Sequence, residues 1–87
     1  MNSISESQYN SHISKSIKSF PDVIKIDGIK LTKKEEAPSL DVFVIVGFGT
    51  QIPKLAWELQ KKIHDDIKEE LGAEIEEINI HIEGVSL

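Results

Sequence analysis

Apolar positions along this chain fall into two rhythms, one of three and four residues and one of two. Tyr9, Ile13, Ile17 and Phe20 recur at four- and three-residue steps, the spacing that lines side chains along one side of a helix. Ser5 stands ahead of that stripe with Gln8 three residues on, the pattern of a capping box. Pro21 closes it, because a proline pushes the residue before it out of helical geometry. The serines around the stripe are weak helix formers, so packing must hold this helix.

The second rhythm begins at Val23. The run from Val23 to Lys33 reads as extended chain. Either Asp27-Gly28 closes a tight hairpin turn between Ile26 and Ile29, or Val23–Ile26 leads into a true strand over Ile29–Lys33. Lys34 to Ser39 is polar, contains Pro38 and predicts a turn or flexible loop. Leu40 to Phe48 is the clearest strand. Leu40, Val42, Val44 and Val46 share one face, with Phe43 and Ile45 on the other. Apolar residues on both faces predict a central strand, or one whose back is covered.

Gly47-Phe48-Gly49 then leads to Pro53, favourable in a first helical turn where its missing amide costs nothing. A helix is predicted from about Pro53 to Leu71. Its core stripe is Ile52, Leu55, Ala56, Leu59, Ile63, Ile67 and Leu71, and Gly72 is its left-handed stop. In the last strand Ile78, Ile80 and Ile82 point inward, while Glu77, Asn79, His81 and Glu83 meet water. Strand, helix, strand predicts a right-handed crossover between parallel strands. The fold class is therefore α+β: a two-layer sandwich in the order α-β-β-α-β, one hairpin strand more if Asp27-Gly28 turns. Both helices lie on one face of a small mixed sheet. The 87 residues make one domain, 1–87, with a flexible N-terminus over residues 1–5.

Charge narrows the function. Residues 1–53 carry six acids and six lysines; residues 54–87 carry nine acids and four lysines, which accounts for the net charge of −5. There is no arginine, whose planar fork is the usual tool for phosphate and guanine recognition, so no nucleic-acid partner is expected. No apolar run approaches the ~20 residues that span a bilayer, and the N-terminus is unlike a secretory signal. The absence of cysteine excludes disulfide and thiolate chemistry and fits a cytoplasmic protein.

Catalytic and cofactor signals are weak. A dinucleotide fingerprint needs a third glycine where Ile52 stands, so Gly47-Phe48-Gly49 reads as a strand-to-helix bend. His81 and Glu83 share a strand face and could touch a metal, but a specific site needs three or four convergent ligands; no metal or cofactor is expected. His64 precedes Asp65 and Asp66 on a charged face, and His12 has no partner nearby in sequence. No enzyme is expected. The candidates that remain are contact residues. Trp57 lies about 120° from the centre of the helix's core stripe, on a flank with Lys61, His64 and Lys68. There it either covers the core edge or touches a partner. Phe43 and Ile45 form an apolar patch on the back of the sheet if nothing covers them, and such patches mark contacts.

Several of these residues also carry a resemblance. Phe48-Gly49, Ile52-Pro53, Gln60, Gly72 and the run from Ile78 to Val85 are similar to the pattern of the alkaline shock protein family, over residues 40 to 85. The first half matches more loosely, with Pro21-Asp22-Val23 where the family has a glycine–valine step. Members of that family are non-enzymatic proteins of the cell envelope stress response. The resemblance implies self-association and binding to a membrane-anchored protein, without direct membrane insertion. It places the chain in the cytoplasm or peripherally at the inner face of the membrane through that partner. It also implies structural roles for Gly49 and Pro53 (bend and helix start), Gly72 (helix stop) and Gly84 (strand end). The alternative is a small RNA-binding or ligand-binding α+β module.

Overall fold

A computed structural model describes residues 4–87. Five elements follow in order: α1 (Glu6–Lys18), β1 (Val23–Thr32), β2 (Ser39–Gly47), α2 (Ile52–Leu71) and β3 (Glu77–Ser86). β2 is the central strand, antiparallel to β1 and parallel to β3. This is the predicted α-β-β-α-β order, with a mixed sheet and both helices on one of its faces.

The hairpin reading of Asp27-Gly28 is overturned. β1 runs unbroken through this pair, in register with β2 from Val23 opposite Val46 to Thr32 opposite Ser39. The register slips between Val23 and Lys25 and again between Ile26 and Gly28, which makes Ile24 and Asp27 the extra residues of two bulges. The apolar spacing explains them. Val23, Ile26 and Ile29 are three residues apart, out of phase with a plain alternation of two. One extra residue in each interval returns Val23, Ile26, Ile29 and Leu31 to the core side, where all four pack.

Leu40, Val42, Val44 and Val46 of β2 are fully buried against Tyr9, Ile13 and Ile17 of α1 and Leu55, Leu59, Ile63 and Ile67 of α2. The Ser5 hydroxyl accepts the Gln8 amide at 3.1 Å, and the Gln8 side chain accepts the Ser5 amide at 2.9 Å. This is the capping box expected from sequence. Residues 1–3 of the expected flexible N-terminus lie outside the described residues. Ser5 is held by its cap, and Ile4 packs on the core. α2 opens with Pro53 in its first turn and stops at Gly72, which has a φ of 65°.

Candidate functional site

The sheet face away from the helices is built in cross-strand rows. Lys30, Asp41 and Asn79 form one row, Gly28, Phe43 and His81 the next, and Lys25, Ile45 and Gly84 the third. The Phe43 and His81 rings stack with centroids 4.5 Å apart and an interplanar angle of 14°. On the strand to the other side of Phe43 is Gly28, where a Cβ would lie 3.5 Å from the Phe43 ring. The stacked His81 ring covers part of Phe43, and Phe43 and Ile45 are both half-buried although no other described element lies above this face. The back of the sheet is thus less bare than the alternation of residues suggests, because the sheet covers its own aromatic.

Asp41 holds His81 in this arrangement. His81 Nε2 lies 2.8 Å from Asp41 Oδ1, and Asn79 Nδ2 donates to the same oxygen at 3.3 Å. The strand face that the alternation gives His81 and Glu83 in common is interrupted. The register slips between Ile82 opposite Val44 and Gly84 opposite Ile45, so Glu83 falls at the slip and the carboxylate beside His81 comes from β2. Among the described residues no group of three or more His, Cys, Asp or Glu side chains is placed to hold a metal.

The His81 hydrogen bond lowers the Asp41 pKa below its ordinary 3.8, aided by Asn79 and nearby positive charge and opposed by burial. A carboxylate depressed in the folded state stabilises the fold above its unfolded pKa. That contribution is lost as pH falls through the lower, folded value. Asp41→Asn should therefore flatten the loss of stability below about pH 4 while changing the slope little near neutrality. Urea midpoints taken from pH 2.5 to 5 test this, and an unchanged acid limb in the variant would refute it.

On α2, Trp57 is 61% exposed and stands apart from the apolar residues packed on the core. Its flank carries polar contacts. Lys61 pairs with Asp65 at 3.2 Å, His64 lies 3.3 Å from Asp65 and 3.4 Å from Glu74, and Lys68 pairs with Glu74 at 2.8 Å. Hydrogen bonds from His64 and then Lys61 lower the Asp65 pKa, and Lys68 does the same for Glu74. Exposed pairs of this kind add little stability. Gln60 adds an anchor by donating to the Ile78 carbonyl at 2.8 Å, fixing this flank beside β3. Trp57, Lys61 and His64 thus share the outer side of the helix layer, while Phe43 and Ile45 lie on the far face of the sheet. The two sets form separate surfaces.

Three polar pairings were hidden from the sequence. His12 meets Glu70 at 3.1 Å, and buried Ser16 lies 2.6 Å from Asp66 Oδ2 and 3.0 Å from the His12 carbonyl. These two contacts form a seam between the helices. The third, Asp41 with His81, is described above. At the β2–α2 bend, the Thr50 amide and hydroxyl both donate to the Gly47 carbonyl, at 3.2 and 2.7 Å, and Gly49 has a φ of 87°. The loop's polar groups close a turn. Gly84 is not the strand end expected from the family pattern, since β3 continues to Ser86 and Gly84 lies beside Ile45 within the sheet.

Comparisons with known proteins agree with this architecture. The model of the alkaline shock protein family, described as having a "cell envelope-related function", matches residues 3–87. Two Bacillus subtilis (strain 168) proteins are similar over 58 residues, 67% of this chain. "Uncharacterized protein YqhY" is 36% identical with 43% of its length covered, and "Uncharacterized protein YloU" is 28% identical with 48% covered. The chain therefore spans less than half the length of either relative. Among solved structures, the copper form of MamM CTD superposes with a TM-score of 0.77 at 13% identity, covering 94% of this chain and 88% of that one. At that identity the likeness is one of fold.

Proposed function

The chain belongs to the alkaline shock protein family, and we propose that it is a non-catalytic interaction module that associates with itself and with a membrane-anchored partner. The observation that carries this reading is Trp57, a 61%-exposed indole that the core does not use. Tryptophan is enriched at the energetic centres of interfaces. The contact residues are Trp57, Lys61 and His64 on α2, with Phe43 and Ile45 on the open sheet face. No described helix is long and apolar enough to cross a membrane. In this reading contact with the envelope runs through the partner, and the chain works in the cytoplasm or at the inner face of the membrane.

Affinity capture from solubilised membranes of the source cell tests this reading. The wild-type chain should recover an anchor protein, and Trp57→Ala should recover about tenfold less, the scale of a lost hot spot. Equal recovery by the two chains would remove Trp57 from the contact. No saturable capture by either would remove the anchor.

A further inference from the structure

Most of the exposed large apolar side chains gather at one end of the sheet. Ile24 is the extra residue of the first β1 bulge, beside Val23 opposite Val46. Val85 pairs with Val46 from the other side. Phe48 follows β2 directly, its amide donating to the Ser86 carbonyl at 2.8 Å. Ile24, Phe48 and Val85 are all more than half exposed, Phe48 at 76%. None belongs to the rows of the open sheet face or to the Trp57 flank.

Beside Phe48 is a cavity of about 440 Å³, between the Pro21–Ile24 segment, the Gly47–Gln51 bend and the first turns of α2. Ile24 and Leu55 supply its apolar wall, and Lys54, Asp22 and Glu58 its charged lining. Among the described residues, none of these three charged groups forms an ion pair within the chain. The same end of the molecule therefore carries an aromatic projection, a hollow, and unpartnered charges of both signs.

We infer that this end of the sheet is where two copies of the chain meet, Phe48 of each seated beside Ile24 and Leu55 of the other, with Lys54 facing the other copy's Asp22 and Glu58. A two-fold contact requires one patch to supply both projection and hollow, and both charges of each pair. A partner of single charge sign would meet a like charge on this rim. The inference rests on the self-association in the proposed function and gives it a surface of its own. The molecule measures 46 × 20 × 20 Å. An end-on contact therefore reaches only about half of the ~800 Å² per partner of a standard interface, so the dimer is weak and concentration-dependent.

Sedimentation equilibrium on the full chain, from roughly 10 μM to 1 mM, tests it over the range of weak association. The wild-type mass should climb from one chain toward two. Phe48→Ser and Lys54→Glu should each weaken the dimer about tenfold or more. Adding Asp22→Lys and Glu58→Lys to Lys54→Glu should restore it, because the rim charges are then exchanged. Lys33→Glu, an exposed charge reversal just past the opposite end of β1, should leave the mass unchanged. Lys54→Glu changes an exposed side chain, so its result stands even if Phe48→Ser perturbs folding. A dimer indifferent to Phe48→Ser and Lys54→Glu, or one lost with Lys33→Glu, would overturn this surface while self-association stands. A single-chain mass throughout would overturn both.

Discussion

Leu59→Ala should remove a large part of this domain's stability. Leu59 is fully buried at the centre of the α2 stripe. Truncating a buried leucine costs about 2–5 kcal/mol, the spread depending on how far the site collapses. A domain of this size holds only about 4–13 kcal/mol in total. The sheet leaves little room for collapse, because Val42, Val44 and Val46 already fill their face without exposure. Far-UV circular dichroism through a urea titration should show a much lower midpoint. On the same helix, Trp57→Ala should move that midpoint by less than about 0.5 kcal/mol equivalent, as surface changes usually do. The reverse order of the two effects would mean that the assignment of the α2 faces is wrong.

Gly72→Val is expected to have the second-largest effect. Gly72 ends α2 with a φ of 65°, and its amide donates to the Lys68 carbonyl at 3.0 Å. A Cβ there meets nothing within 4 Å, so any penalty comes from the backbone rather than from crowding. A residue with a Cβ loses about 1–2 kcal/mol in this left-handed conformation, and β-branching makes it worse. Gly72→Asn should cost distinctly less, because asparagine visits this region more readily. Thermal unfolding of both variants separates the two costs, and equal midpoints for valine and asparagine would contradict the conformational account.

Features that depend on neighbours a few residues away were legible in the chain. The Ser5–Gln8 box, the Gly72 stop and the valine face of β2 follow from three- and four-residue geometry or strict alternation. Periodicity reports which side of its own element a residue occupies, and for these positions that was enough. The family signature in the second half was legible for the same reason, since Ile52-Pro53 and Gly72 mark a helix start and stop.

Register was not legible. Asp27-Gly28 is locally compatible with a turn, and only pairing along the whole of β1 makes it a bulge. His81 sits among acidic residues on its own strand, yet its carboxylate comes from Asp41, 40 positions earlier. His12 and Ser16 meet Glu70 and Asp66, 58 and 50 positions away. Ile24 reaches the sheet end only because a slip displaces it, and the cavity beside Phe48 exists only once β1, the bend and α2 converge. Local backbone preferences act over one or two turns of chain and set the elements and their faces. Contacts between elements depend on how strands pair and slip, which is settled by burying all the apolar faces at once.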